Sequence, residues 1–174
     1  MNPRSINRLS RIAIAACVIA SPLVAIADST PPDHRIEGTW VTRVVSTATN
    51  PPTTNYSVGT FLPGGQIVED NSQNLIRTVG QGEWYKVGPS HYIRNMFFIT
   101  FSPPRTFTGI TRVVNDIQLN DAGDEYDAVG HVSVYDVNGN LTATRVNPSH
   151  AIRCTAATDM PQCMGVVPLT QSSP

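Results

Sequence analysis

The chain is poor in charged side chains, and lysine is nearly absent from it. Charged residues make up 14% of the 174 positions, and Lys86 is the single lysine. Nucleic-acid binding needs a stripe of basic side chains that releases counterions from phosphates. No basic cluster lies beyond the first 27 residues. The composition therefore excludes a nucleic-acid partner and argues against binding to an anionic membrane surface.

The sequence also lacks the motifs of common catalytic and metal sites. It has no Gly-x-Ser-x-Gly segment to hold a nucleophilic serine. His91, His131 and His150 lie far apart and show no ligand spacing such as His-x-His. The acidic segment 121–125 lacks the calcium-loop pattern. We therefore predict no catalytic residue, no metal and no cofactor from motifs, and whether the protein is an enzyme stays open.

Cysteine is scarce as well. The chain has three cysteines, and only Cys154 and Cys163 lie beyond the leader segment. An even pair in an oxidising compartment most often forms a disulfide. We predict a Cys154–Cys163 disulfide that holds the C-terminal tail against the last strand.

A basic and then apolar leader segment opens the chain. Three arginines precede an apolar run at 12–27, which ends in the small-x-small pattern Ala25-Ile26-Ala27. This order is typical of a secretory signal peptide. We expect a signal peptide at 1–27, cleavage after Ala27, and a mature protein that is secreted or periplasmic.

Two other interpretations of the leader fit its residues less well than cleavage after Ala27. Cys17 follows residue types found in lipoprotein signals, but only five apolar residues precede it, where a leader has roughly 7–15. An uncleaved anchor would need roughly 20 apolar residues. Cleavage removes 27 of the 174 residues and leaves 147, enough for one domain. It removes three of the 12 basic residues and none of the 13 acidic ones, so the net charge becomes −4.

Short β-rich runs separated by turn residues fill the rest of the chain. The clearest turn is Asn138-Gly139, because both positions of a tight hairpin turn need positive φ. Helical periodicity is absent beyond the leader. About nine runs are rich in Val, Ile, Thr, Tyr and Phe: 39–46, 57–62, 66–70, 83–87, 91–101, 111–119, 125–134, 141–145 and 150–154.

The order of these runs predicts an all-β fold. Consecutive strands joined by tight turns leave two sheet edges, and closing the sheet removes both. We therefore predict a single up-and-down antiparallel β-barrel of about 8–9 strands. A Greek-key sandwich is the alternative, with 46–56 or 70–81 as its long connection. The barrel domain is placed at 36–154, after a loose segment at 28–35 and before a C-terminal tail at 155–174.

Alternation along two runs bears on which side chains face inward. The run 91–101 is apolar on both faces near its end, so its outer face, with Phe97, Ile99 and Phe101, is expected to lie under a tail, a second copy or an envelope partner. The run 126–134 has one apolar face and one mixed face that carries His131. A solid core would place the apolar face inside, whereas a ligand-holding lumen could use the mixed one.

The two ends of the strand-rich region carry a tryptophan motif and an arginine. Gly38-Thr39-Trp40 opens the first predicted strand, and Arg153 lies at the end of the last. This pairing resembles the calycin group, specifically lipocalin-like barrels, which have Gly-x-Trp and an arginine at these places. The resemblance implies that Arg153 stacks on Trp40 and plugs one end of the barrel, a cation–π contact of about 0.5–2 kcal/mol. The allene-oxide-cyclase type of barrel is a second resemblance, based on strand count.

Candidate ligand-binding side chains lie on two predicted hairpins. Trp84, Tyr92, Met96 and Phe98 could form either a core or a wall that binds a ring or an acyl chain. His131 and Tyr135 share one strand face, and the pKa of an unperturbed histidine lies near neutrality, so His131 could act as acid, base or hydrogen-bonding group.

Three functions fit these observations. The first is an exported small-molecule-binding protein whose barrel holds an apolar or amphipathic ligand. The second is a cyclase or isomerase of the allene-oxide-cyclase type, in which His131, Tyr135 and a carboxylate such as Glu83 or Asp116 converge inside the lumen. The third is an envelope interaction protein without a ligand, which binds its partner through the outer apolar face.

Overall fold

The computed structural model describes residues 35–73 and 75–165. Within them eight antiparallel strands form one closed barrel, and the predicted all-β up-and-down barrel is confirmed. The predicted signal peptide and the Cys17 alternative lie outside the described residues. The elements are β1 (Gly38–Ser46), β2 (Thr53–Leu62), β3 (Gln66–Asn71), β4 (Gly80–Lys86), β5 (His91–Ser102), β6 (Thr106–Leu119), β7 (Glu125–Tyr135), β8 (Leu141–Arg153) and the short helix α1 (Met160–Cys163).

Each strand pairs with the next in the chain, and β8 pairs with β1 to close the barrel. The closing register places Trp40 opposite Arg153. The two predicted runs 141–145 and 150–154 form one strand, β8, in which Pro148 lies opposite Val129. Proline cannot donate a backbone hydrogen bond to the ladder, but the residues on both sides of Pro148 pair with β7 and carry the strand through this position.

The closed sheet has one inward and one outward face along every strand. On β5 the inward positions include Tyr92, Arg94 and Met96, all of which are buried. On β7 the apolar set faces inward, with Tyr126 at 2% exposure, whereas His131 on the mixed face is exposed. The apolar face of β7 is therefore the inward one.

Aromatic side chains fill one end of the barrel, which we call the plugged end. The rings of Trp40 and Tyr126 are 4.9 Å apart, and the Trp40 indole N–H donates to the Ile36 carbonyl at 2.8 Å. β1 begins at this end and β8 finishes there. The opposite end, where β1 finishes and β8 begins, is the mouth. The buried apolar cluster comprises Ile36, Trp40, Phe61, Ile67, Tyr92, Met96, Ile117, Leu119, Tyr126, Ala128 and Ala151.

Arg153 covers the plugged end. Its guanidinium carbon lies 4.4 Å from the Trp40 ring centroid. Its Nε donates to the Gly123 carbonyl at 2.7 Å, and its two terminal nitrogens donate to the carbonyls of Glu37 and Arg35. Gly38 has φ +122°, and a Cβ there would lie 2.8 Å from Arg153 Nη1. The glycine of the Gly-Thr-Trp motif thus permits both the backbone conformation and the close approach of the arginine.

The predicted Cys154–Cys163 disulfide is present. It joins the residue after β8 to the end of α1. Asp159 caps this helix, because its side chain accepts the backbone N–H of Gln162 at 2.9 Å and the Gln162 side chain accepts the Asp159 backbone N–H at 3.2 Å. The cap satisfies two backbone N–H groups at the start of the helix, and the disulfide links the helix to the residue that follows β8.

Candidate functional site

A cavity of about 440 Å³ occupies the lumen between the plug and the mouth. Its walls combine apolar and polar side chains, and its charged residues are Glu69, Arg77, Arg94 and Arg145. A volume of several hundred cubic ångströms is typical of pockets that take small organic ligands. The apolar wall includes Val44, Met96, Phe98, Val113, Val132 and Val134, and the polar wall includes Ser46, Asn55, Thr100, Thr111, Asn115, Asn147 and Ser149.

A charged layer forms the floor of this cavity. Arg94, which is 4% exposed, donates from Nη1 to Glu69 Oε2 at 2.6 Å. Its Nε and Nη2 donate to Asn115 Oδ1 at 3.2 and 2.9 Å. A buried guanidinium with a carboxylate and an amide as partners is charge-compensated and hydrogen-bonded. On the inward face of β5, Arg94 lies between Tyr92 of the plug and Met96 of the cavity wall, so the layer separates the cavity from the aromatic plug.

The strand registers explain why these three side chains meet. Arg94 on β5 pairs directly with Asn115 on β6. Glu69 lies on β3, one strand beyond β4, opposite Gly80. The inward positions of β4 beside them are Gly80 and Gly82, which have no side chains. Arg94 can therefore reach across β4 to Glu69.

Arg77 lies in the connection between β3 and β4 and projects into the lumen. It is 7% exposed, its Nε donates to Asn71 Oδ1 at 2.8 Å, and its guanidinium carbon stacks 4.1 Å from the Phe98 ring centroid. Its Nη2 lies 3.5 Å from Glu69 Oε1, too far for a well-formed hydrogen bond. Among the described residues this buried nitrogen has no hydrogen-bond partner.

Glu69 serves the two arginines unequally. Burial would lower the pKa of Arg94, but the charge of Glu69 and its hydrogen bond outweigh burial, so the pKa of Arg94 is raised. For Arg77 the loss of solvation is the larger effect, and the pKa of Arg77 is lowered despite the attraction of Glu69. Both guanidiniums still carry their charge at neutral pH. The buried layer thus has two cations and one anion.

The side chains predicted to bind a ligand separate into three places. Met96 and Phe98 line the cavity. Tyr92 is buried in the plug, where the Trp84 ring packs edge-on against it at 6.0 Å. His131 is exposed on the outer face of β7, and Tyr135 lies on the same face. The ligand-binding role of these six residues stays a prediction.

The expected convergence of His131, Tyr135 and Glu83 in the lumen is wrong. The strand alternation that sends Val132 and Val134 inward sends His131 and Tyr135 outward. Glu83 is likewise exposed, on the outer face of β4. Asp116 is on the outer face of β6, where His91 Nε2 lies 2.7 Å from its carboxylate. An acid–base set within the lumen cannot be built from these residues.

Sequence reasoning did not identify the charged floor. Glu69, Arg77, Arg94 and Asn115 were not among the candidate ligand-binding residues. One signal was available, because Arg94 alternates in phase with Tyr92 and Met96. A charged residue on an otherwise apolar strand face indicates a buried partner or a functional site.

The outer surface carries two histidines that are each paired with an aspartate, and it also carries an apolar patch. His150 Nδ1 lies 2.9 Å from Asp127 Oδ1, and the described residues contain no group of three His, Cys, Asp or Glu side chains arranged to hold a metal. Phe97 and Ile99 are 45% and 41% exposed. Contact of this patch with a second copy or an envelope partner stays a prediction.

Comparisons of the chain with protein-family models, with curated proteins and with solved structures find no match. The closed eight-stranded antiparallel barrel is compatible with a lipocalin-like fold. In the described part of the chain, no helix has the length and apolarity needed to cross a bilayer.

Proposed function

We propose that this barrel binds a small amphipathic molecule in its lumen and carries or sequesters it outside the cytoplasm. The observation that carries the proposal is the cavity of about 440 Å³ above the charged floor. Packed protein interiors leave few voids larger than a water molecule. An internal space of this size, with a wall of mixed polarity, is suited to a ligand.

The two ends of the barrel differ in a way that supports binding from one side. The plugged end is closed by Trp40, Tyr126 and the covering guanidinium of Arg153. The cavity lining extends to Ser46, Thr108 and other residues at the mouth. A ligand would therefore enter and leave at the mouth, on the side of the cavity away from the plug.

Export fits a binding role. The disulfide between Cys154 and Cys163 is consistent with an oxidising compartment, and the leader segment has the order of a signal peptide. A cyclase that depends on His131, Tyr135 and Glu83 has no support, because all three lie on the outside of the barrel.

The test compares two tryptophan substitutions on β7, one that points into the cavity and one that points outward. Val134→Trp places an indole in the cavity from β7, and Val129→Trp places the same group on the exposed outer face of that strand. We expect the fluorescence of N-phenylnaphthylamine to rise with the wild-type protein and with Val129→Trp, and to rise far less with Val134→Trp. Circular dichroism checks that both variants fold. Equal fluorescence with all three proteins, or none with the wild type, would refute a lumenal site.

A further inference from the structure

We infer that the lumen recognises an anionic head group, and that Arg77 binds it. This inference rests on the proposed function and specifies the chemistry of its ligand: an apolar body with one terminal carboxylate or comparable anion. It starts from the one buried side-chain nitrogen of the charged floor that lacks a hydrogen bond, Arg77 Nη2.

An unpaired buried donor of this kind is costly. Leaving a buried polar group without a hydrogen bond costs free energy, and the cost is larger when the group is charged. Arg77 is 7% exposed and lines the cavity. Nη2 itself is fully covered and lies 3.5 Å from Glu69 Oε1, so a ligand anion would meet the Arg77 guanidinium at the cavity wall and add to the weak compensation that Glu69 provides.

The charges around the cavity favour an anion. The lining contains the cations Arg77, Arg94 and Arg145, and Glu69 is its one acidic residue. Glu69 forms its short hydrogen bond with Arg94, at 2.6 Å. The other two nitrogens of the Arg94 guanidinium each donate to Asn115 Oδ1. The excess positive charge therefore falls on Arg77 inside the cavity and on Arg145 at the mouth.

Arg77 is held ready to bind. Its Nε is fixed by Asn71 at 2.8 Å, and its planar face lies against Phe98 at 4.1 Å. A guanidinium with a fixed plane presents its donors in a geometry that matches a carboxylate. Since little side-chain freedom is lost on binding, the contact favours affinity as well as specificity.

The wall beside Arg77 is suited to the rest of such a ligand. Met96, Phe98 and Val132 offer apolar surface in the same cavity. A methionine thioether adapts to irregular apolar shapes, and an aromatic ring provides flat contact. A medium-chain carboxylic acid satisfies both the head-group and the wall requirements.

The experiment compares dodecanoate with dodecanol, which share one apolar chain and differ in the head group. Each displaces N-phenylnaphthylamine from the wild-type protein, and we expect dodecanoate to bind about tenfold or more tightly than the alcohol, as a charged hydrogen bond of about 1.5–3 kcal/mol implies. Arg77→Leu should bring the affinity for the acid down to that for the alcohol and leave the alcohol unchanged. Arg112→Leu, which removes an exposed arginine from the outer face of β6, is the matched control.

The possible results separate the two proposals. Equal affinity for acid and alcohol in the wild type overturns the head-group inference and leaves lumenal binding intact. If Arg77→Leu lowers the affinity for acid and alcohol equally, and circular dichroism shows that the variant is folded, the head-group inference is also overturned. Failure of both ligands to displace the probe refutes the lumenal function itself. If Arg77→Leu does not fold, the wild-type comparison and Arg77→Lys, which keeps the charge but loses the planar fork, decide the question: we expect the lysine variant to retain part of the preference for acid.

Discussion

Glu69 is the residue on which the charged floor depends. It is 5% exposed, accepts from Arg94 at 2.6 Å, and lies 3.5 Å from Arg77. Without its negative charge, the two buried guanidiniums would lose the carboxylate that compensates them inside the lumen, and Arg77 would keep only the weaker attraction of the exposed Asp70. Removing one partner of a buried ion pair is strongly destabilising because the remaining charge is left without compensation.

We therefore predict that Glu69→Gln, which keeps the shape and removes the charge, lowers the free energy of unfolding by about 3–5 kcal/mol. Urea denaturation at neutral pH measures this change. The exposed Glu83→Gln is the control and should alter stability by no more than about 0.5 kcal/mol. A Glu69→Gln variant as stable as wild type would show that the guanidiniums are compensated in another way.

At the scale of elements, β4 is notable for glycine at two inward positions. Gly82 allows β4 and β5 to approach closely, because a Cβ on it would lie 1.9 Å from the Asn95 carbonyl oxygen and 2.8 Å from Met96 Cα. These are backbone atoms, which cannot rotate away as a flexible side chain can. The close approach belongs to the strand pair that carries Arg94 toward Glu69.

Gly82→Ala should therefore destabilise the barrel by about 1–3 kcal/mol through overpacking. Gly59→Ala on β2 is the matched control, since a Cβ there would meet Glu69 atoms at 3.7 Å, an ordinary contact. We expect Gly59→Ala to be neutral or to stabilise by up to about 1 kcal/mol, because alanine restricts the unfolded chain. Midpoints of urea unfolding distinguish the two. Similar effects of both substitutions would contradict the steric argument.

Elements of the fold were predictable where local chemistry decides them. The alternation of 91–101 and turn residues such as Asn138-Gly139 identify strands and their order, and Asn138-Gly139 lies in the loop that joins β7 and β8. The expected positive φ at both turn positions is wrong for Asn138, because only Gly139 has it, at +81°. The division of β8 into two runs was wrong, because the sequence around Pro148 weakens the strand pattern while pairing with β7 maintains it. Local propensity is overridden there by neighbouring strands.

The candidate site was less predictable for a physical reason. Which face of β7 points inward depends on its pairing register with β6 and β8. The sequence of one strand alone does not contain that information. The contact between Arg94 and Glu69 joins strands separated by β4, and Arg77 comes from a connection that the sequence placed in a loop. Such contacts arise only once the sheet closes. Aromatic side chains are the natural candidates in a sequence, and several of them lie in the plug and not in the cavity.

For the whole molecule, buried tyrosines link stability to alkaline pH. Burial raises the pKa of Tyr126 above its usual value, and Arg94 and a hydrogen bond with Thr42 only partly offset this. Burial also raises the pKa of Tyr92. In the unfolded chain tyrosine loses its proton near pH 10. Above that pH the native state holds more protons than the unfolded chain, so the free energy of unfolding falls as pH rises.

We predict that stability is unaffected by these groups below about pH 10 and declines above it, by up to about 1.4 kcal/mol per pH unit for each buried tyrosine. Tyr126→Phe should reduce the slope of this decline, while Tyr85→Phe, which alters an exposed side chain, should not. Urea denaturation at a series of alkaline pH values provides the measurement. An unchanged slope in Tyr126→Phe would mean that this hydroxyl does not control the alkaline transition.

The placement of the first and last strands has a consequence for handling the protein. Gly38 and Arg153 lie together beside the aromatic plug, and a Cβ on Gly165 would still be 3.3 Å from Ile152. The polypeptide thus enters and leaves the barrel at the pole opposite the opening. A tether fused to either side of the domain, whether an affinity tag or an immobilising linker, is attached away from the route that a ligand would take.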